Sequence, residues 1–164
     1  MFDATTVNMI WEGLLQTRYM TVLSTVLAYV IGLPLGVLLV TSAKDGIAPR
    51  PVLYKVLDVI VNIMRSIPFL ILLIAIMPLT RLIVGTTIGP NATIVPLVIA
   101  AFPFVARMVE SSLKEVSPGL IEAALSLGAS PMQIVTKVLV PEALPSLTVG
   151  AAIAITTILG YSAM

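Results

Sequence analysis

The sequence contains neither cysteine nor histidine. The chain therefore has no thiolate nucleophile, no disulfide, and no imidazole for a metal site or for base catalysis near neutral pH. Charge is scarce as well, since charged residues form 10% of the 164 residues, against about a quarter in an average soluble domain. Eight acidic and nine basic side chains leave a net charge of +1, without the basic surface that nucleic acid binding needs. These scarcities exclude a soluble enzyme and a nucleic-acid-binding protein.

Apolar side chains are what the sequence has in excess. They make up 59% of the chain, and the mean hydropathy is +1.11. So few charges cannot cover a soluble globule with hydrated surface, whereas a bundle embedded in a bilayer needs charge only at its ends. The composition therefore predicts an all-α, polytopic transmembrane helical bundle. At about 20 apolar residues per span, the length allows four spans, or five with very short loops.

The positions of the charged residues divide the chain into spans. An uncharged run of 25 residues lies between Arg18 and Lys44, which is long enough to cross a bilayer. The run between Arg65 and Arg81 has only 15 residues, so its helix is expected to begin earlier. The Gly89-Pro90-Asn91 triplet delays the next helix, and Asn91 is expected to cap it. The predicted spans are residues 17–43, 55–80, 92–113 and 143–164.

The basic residues predict the orientation. Seven of the nine lie in two segments, residues 44–65 and 107–137, and only Arg18 and Arg81 lie on the opposite side. By the positive-inside rule the two basic segments are cytoplasmic and the N-terminus is outside. Asp3 and Glu12 precede the first apolar run, so the leader does not have the basic start of a cleavable signal peptide.

Two features inside the predicted spans concern packing. Asp58, Asn62 and Arg65 are spaced to share one helix face, and such a stripe cannot comfortably face lipid. A structural or subunit-contact role near the cytoplasmic end is favoured over contact with a solute. Asp58 is expected to have no acidic partner in another span with which to share a proton, which disfavours an intramembrane enzyme. Gly32 and Gly36 form a G-x-x-x-G pair that permits close helix approach.

The stretch from residue 117 to residue 140 predicts two short helices joined by a tight turn and presented to the cytoplasm. Ser117-Pro118 supplies an N-cap acceptor and a proline at the first helical position. Gly128 is expected to end the first helix in the left-handed conformation. Ser130-Pro131 then repeats the start signal. From the residues alone, such a pair could simply brace the spans.

A longer motif in this stretch resembles a known family. Glu122-Ala123-Ala124, Gly128 after three residues, and Val138-Leu139-Val140-Pro141 after nine more resemble the E-A-A-x-x-x-G-x9-I-x-L-P signature of the permease subunits of ABC importers. Within that family the chain looks most like the permeases of methionine importers. The segments that carry this further resemblance are residues 65–69, 83–89, 106–110, 128–134 and 160–164.

The resemblance implies a fold and a set of partners. The fold would be that of a type I ABC importer permease, with one permease domain over residues 1–164 and four of the family's five spans, so the chain is expected to be incomplete at its C-terminus. The partners would be two ATPase subunits, a second permease copy and a methionine-binding lipoprotein, in the bacterial inner membrane. The sequence has no G-x-x-x-x-G-K-[ST] phosphate loop, so ATP hydrolysis would belong to the ATPase partner. No cofactor or metal is expected.

The resemblance also implies roles for particular residues. The helix pair would couple the permease to the ATPase through Glu122, Ala123, Ala124, Gly128, Ala129, Ser130 and Pro131. Tyr161, Ser162 and Met164 are candidates for the passage or its gate, because the last span should approach the passage there. Methionine, in its D and L forms, is the expected solute. The alternative is a self-contained channel or secondary carrier for a small solute, which would not need the coupling motif.

Overall fold

The structure is a computed structural model that describes residues 3–164, except for the side chain of Ala4. Helices account for the regular structure of this range, and no strand occurs within it, which confirms the all-α prediction. The helices are α1 (Ala4–Ser42), α2 (Pro51–Ser66), α3 (Phe69–Ala75), α4 (Met77–Val84), α5 (Pro90–Lys114), α6 (Pro118–Ser126), α7 (Pro131–Ile134), α8 (Val140–Glu142) and α9 (Leu144–Ser162). A π-helical turn, Val135–Leu139, joins α7 to α8.

Helices α1, α5 and α9 are each long and apolar enough to cross a membrane. A fourth crossing needs the α2 and α3 pair, which is bent by 101°. The single helix predicted over residues 55–80 is therefore wrong. Ile67 is extended, with φ −84° and ψ 121°, because the residue before a proline is disfavoured in the helical region and Pro68 lacks the N–H that would continue the helix.

Helix α1 begins at Ala4 and not near residue 17. Its 39 residues span roughly 58 Å at 1.5 Å per residue, nearly twice the thickness of a hydrocarbon core. The Tyr19 hydroxyl donates a hydrogen bond to Asn91 Oδ1 at 3.2 Å, so Tyr19 lies level with the start of α5. The expectation that Asn91 caps α5 is wrong, since Gly89 is the N-cap residue and the Asn91 side chain bonds across to α1.

The centre of the fold is the contact between α1 and α5. A Cβ atom built on Gly32 would lie 2.7 Å from Val105 Cγ1, and one built on Gly36 would lie 2.6 Å from Val109 Cβ. Val105 and Val109 are themselves fully buried. The absence of two side chains on α1 thus lets α5 approach within contact of its backbone, as the G-x-x-x-G spacing predicts.

The fold has two distinct ends. At one end the loop after α1, the start of α2, the end of α5 and α6 surround a cavity of about 690 Å³ whose lining includes Lys44, Lys114 and Glu122. At the other end Met20 and Ser162 line a smaller cavity together with residues of α3, α4 and α5. The segment with the family motif therefore lies at the same end as the loop that contains Lys44.

Candidate functional site

The turn between α6 and α7 has the geometry that its sequence predicts. Gly128 has a φ of +77°, in the left-handed region that glycine adopts without a steric penalty. The Gly128 N–H donates to Leu125 O at 2.9 Å, and the Ala129 N–H donates to Ala124 O at 3.1 Å. These two bonds form a Schellman motif, which satisfies the last carbonyls of α6 and fixes the direction in which the chain leaves the helix.

The next helix starts with a complete capping box. Ser130 Oγ accepts a hydrogen bond from the Gln133 N–H at 3.4 Å, and Gln133 Oε1 accepts one from the Ser130 N–H at 2.8 Å. Ser117 is the N-cap residue of α6, but its side chain makes no capping bond, so that part of the prediction is wrong. Gly128 and Ser130 together set the angle between the two helices.

The predicted second helix is helical as far as Glu142 but is not a regular α-helix. The π turn Val135–Leu139 interrupts it, immediately before Val140 and Pro141. Pro141 has no N–H to donate to the carbonyl four residues earlier, and a wider turn relieves the clash between its ring and that carbonyl. Ile134 and Leu139 are fully buried, so the interrupted helix is anchored to the core.

The motif residues form an exposed surface on this segment, which we call the coupling surface. Exposed members are Glu122, Ala123, Gly128, Ser130 and Pro131, whereas Ala124 and Ala129 are half-buried against the core. Large apolar side chains extend the same surface: Leu127 is 88% exposed and Met132 is 70% exposed. Exposed apolar groups beside a rigid, small-residue turn are typical of an interaction site.

The three gate candidates lie together at the opposite end. Tyr161, Ser162 and Met164 line one cavity of about 260 Å³. Tyr161 stacks on Phe69, with ring centroids 4.7 Å apart and planes within 7°. The remaining lining residues are mostly apolar with several hydroxyls, and they come from α1, α3, α4, α5 and the loop before it: Met20, Phe69, Leu73, Met77, Thr80, Thr87, Ala92, Thr93 and Pro96.

Two of the three residues in the predicted polar stripe on α2 share a bonding partner. Asp58 accepts an ion-pair hydrogen bond from Arg107 of α5, and Asn62 Oδ1 accepts one from the same guanidinium at 3.0 Å. Arg65 is exposed and forms no ion pair with any residue in the described range 3–164. Two members of the stripe thus contact α5 within one subunit, and the third does not join them.

Arg107 also contacts a buried carboxylate that sequence reasoning missed. Its Nη1 lies 2.5 Å from Glu110 Oε2, and Glu110 Oε1 accepts from Lys114 Nζ at 2.6 Å. Glu110 is only 3% exposed. Arg107 lies between the carboxylates of Asp58 and Glu110 and pairs with both, so the two acids share a cation and no hydrogen bond joins them within the described range. The signal was available in the spacing of Arg107, Glu110 and Lys114 at three and four residues on one helix face.

Comparison with known proteins identifies the family of this chain. The sequence profile described as "Binding-protein-dependent transport system inner membrane component" matches residues 32–164, which is most of the chain. The chain belongs to this family. It is accordingly an inner membrane component of a transport system.

Relatives within the family are close. The chain is 53% identical to the D-methionine transport system permease protein MetI of Escherichia coli strain K12, over 95% of this chain and 73% of the relative. It is 52% identical to the probable D-methionine transport system permease protein MetI of Vibrio cholerae, over 91% of this chain and 66% of the relative. The chain thus spans about two thirds to three quarters of the length of these curated relatives.

Solved structures agree with the sequence relatives. A structure described as inward-facing conformations of the MetNI methionine ABC transporter is 50% identical, with a TM-score of 0.97 over 99% of this chain and 76% of that one. A more distant structure, of an amino acid ABC transporter with histidines, is 24% identical with a TM-score of 0.64, and shows the fold alone. The fold is that of a type I ABC importer permease, as the sequence predicts.

Proposed function

We propose that this chain is the permease subunit of an ATP-driven ABC importer for methionine, in both its D and L forms. It would form the passage across the inner membrane together with a second permease copy. Two ATPase subunits would drive it, and a methionine-binding lipoprotein would deliver the solute. The observation that carries the proposal is the rigid, exposed coupling surface in a chain that is 53% identical to a methionine permease.

The coupling surface has the physical properties that docking to an ATPase requires. Exposed Ala123 and Gly128 allow a partner to approach the backbone closely, and Glu122 offers a carboxylate that forms no ion pair within the described part of the chain. Leu127 and Met132 supply apolar area. Because the turn is fixed by hydrogen bonds and the segment is anchored by buried Ile134, a push on this surface would move the helices as a rigid lever.

The cavity with Tyr161, Ser162 and Met164 supports a passage for a small solute with an apolar side chain. Its walls combine Met20 and Met77 with threonine hydroxyls and the aromatic stack. Soft thioether side chains accommodate another thioether well. Tyr161 has the one ionisable side chain among the residues that line this cavity, so the side chains around it do not suit phosphate, a metal ion or a polyamine.

The alternative of a self-contained channel or carrier is not favoured. Such a protein does not need a helix pair that presents small residues and exposed apolar side chains at one end of the bundle. Nor does it explain the match of this chain to a component of a binding-protein-dependent transport system. The two readings differ in one observable requirement, which is ATP.

We expect reconstituted vesicles to distinguish them. The permease assembled with its ATPase subunits, and supplied with loaded binding protein, should accumulate labelled methionine only when ATP is present on the ATPase side. Replacing ATP with a non-hydrolysable analogue is the control and should abolish accumulation. Uptake of methionine without ATP would contradict the importer assignment, and ATP-driven uptake of a sugar but not of methionine would contradict only the solute.

The orientation is part of the proposal. We expect the coupling surface in the cytoplasm and the N-terminus outside, because Lys44, Arg50 and Lys114 lie at the coupling end and only Arg18 and Arg81 at the other. Arg107 pairs with Asp58 of α2 and Glu110 of α5, and Lys114 pairs with the same Glu110. The other five basic residues of the two segments form no ion pair within residues 3–164, and they still outnumber the two at the opposite end.

Thiol labelling tests the orientation directly. The native chain has no cysteine, so Ser126→Cys on α6 and Ile88→Cys in the loop before α5 each provide one exposed label site. A membrane-impermeant maleimide should label Ile88→Cys in intact spheroplasts and Ser126→Cys only after the membrane is opened. The reverse pattern would place the coupling surface outside and would contradict the proposal.

A further inference from the structure

Arg107 connects two helices that the mechanism must move together. It lies on α5, which leads directly into the coupling segment, and its guanidinium bonds Asp58 and Asn62 on α2 as well as Glu110 on its own helix. Its side chain is 18% exposed. A planar fork of donors that contacts three acceptors fixes both the distance and the rotation of one helix against the other.

Helix α2 packs on the bundle along one narrow apolar strip. Val61 is its one fully buried residue within the described range, and Tyr54 and Leu57 are half-buried against the same cluster. Its remaining faces are open, with Val52 exposed by 78% and Ile63 by 59%. Apolar contact is not directional, whereas the bonds to Arg107 are directional and add a defined orientation of α2 on α5.

The end of α5 packs on the coupling segment. Leu113 of α5 lies in the same buried cluster as Ile134 and Leu139, and only residues 115–117 separate α5 from α6. On α5 itself, Glu110 is held by both Arg107 and Lys114. A displacement of the coupling segment therefore acts on the stretch of α5 that carries Arg107.

After the bend the chain continues from α2 into α3, which lines the cavity. Only Ile67 and Pro68 separate α2 from α3, whose first residue, Phe69, stacks on Tyr161. Movement of α2 therefore reaches one half of the aromatic pair that lines the proposed passage.

We infer that Arg107 is a positioning residue that holds α2 in register with α5, so that motion of the coupling segment reaches α2 and the Phe69 and Tyr161 pair. The inference rests on the proposed function, because it assumes an ATPase that moves the coupling segment. It assigns a transport role to a charged cluster that pairs two helices of one subunit. Arg107 does not touch the coupling surface or the cavity, so its effect is on transmission.

Arg107→Met tests the inference in the assembled transporter in proteoliposomes. We expect ATP hydrolysis to stay within about threefold of the wild type, while methionine transported per ATP hydrolysed falls at least about tenfold. Lys55→Met is the matched control, since it removes an exposed cation from α2 without touching the cluster, and its transport ratio should equal that of the wild type. A purely structural role would instead lower the amount of transporter and leave the ratio per assembled complex unchanged.

Distances between spin labels give a second readout that does not depend on transport. One spin label is placed on α1 and a second either on α6, at Ser126, or on α2, at Val56. When nucleotide is added to the wild type, both the α1–α6 and the α1–α2 distance should change. With Arg107→Met the α6 label should still move and the α2 label should not. Equal movement of both labels in the variant, or an unchanged transport ratio, would overturn the inference.

Two further outcomes are decisive in the same experiments. If Arg107→Met does not accumulate, Asp58→Asn replaces it, because this variant removes the charge of one partner and keeps an acceptor oxygen. An unchanged ratio in Asp58→Asn then overturns the inference. If the wild type itself shows no ATP-dependent methionine uptake, the proposed function has failed, and this result is separate from any difference between variant and wild type.

Discussion

Replacing Gly36 with valine is expected to remove most of the folded permease. A Cβ at this position would lie 2.6 Å from Val109 Cβ and 2.7 Å from the backbone oxygen of Ala106, where carbon atoms in contact need about 3.5 to 4.0 Å. The obstacle includes backbone of α5, so a rotamer change cannot relieve it and the two helices must separate. We expect a cost of about 3 kcal/mol, at the upper end of overpacking. That is more than a hundredfold in the ratio of folded to unfolded protein.

The measurement is the yield of monodisperse permease complex in detergent and its thermal midpoint. Gly13→Val is the matched control, because it lies on the same helix and a Cβ there meets nothing within 4 Å. The control should retain at least about half of the wild-type yield. A Gly36→Val protein with wild-type yield and midpoint would show that the contact between α1 and α5 is not as close as the structure has it.

Local signals in the sequence were sufficient to predict the coupling segment. Pro118, Gly128 and Pro131 determine helix ends through their own backbone chemistry, and this chemistry needs no distant partner. The structure begins α6 and α7 at the two prolines and ends α6 at Ser126, two residues before Gly128. The close approach at Gly32 and Gly36 was likewise predicted from a short spacing, although the identity of the partner helix was not.

Features that depend on distant residues were not predicted. The partner of Asp58 is Arg107, which lies 49 residues away, and no spacing rule connects two positions so far apart. Glu110 was missed for a related reason. In the sequence, a carboxylate with cations three and four residues away is typical of an exposed helix face, and its burial becomes evident only in the structure. The bend at Pro68 was underestimated because proline within an apolar run is tolerated in many membrane helices, and the run alone does not show where the helix stops.

Replacing Gly128 with valine is expected to uncouple transport from ATP hydrolysis. The residue has a φ of +77°, and a Cβ in the left-handed region costs roughly 1 to 2 kcal/mol, with β-branched residues disfavoured most. No atom outside its two chain neighbours lies within 4 Å of a Cβ built there, so the cost is conformational and the bundle itself should remain folded. The Schellman turn would open, and the coupling surface would reorient. ATP hydrolysis in proteoliposomes should then no longer respond to loaded binding protein, and methionine uptake should fall at least about tenfold.

Two further substitutions isolate the conformation as the cause. Gly128→Asn should retain most of the coupled uptake, because asparagine enters the left-handed region more readily than any β-branched residue. Gly119→Val adds the same side chain at the second residue of α6, where a Cβ would lie 3.8 Å from Ser117 Oγ and φ is ordinary. It should cost well under about 1 kcal/mol. If valine and asparagine at position 128 reduced uptake equally, the cause would be the added side chain at the ATPase contact and not the turn. Coupled uptake at the wild-type rate in Gly128→Val would show that docking does not depend on the angle between α6 and α7.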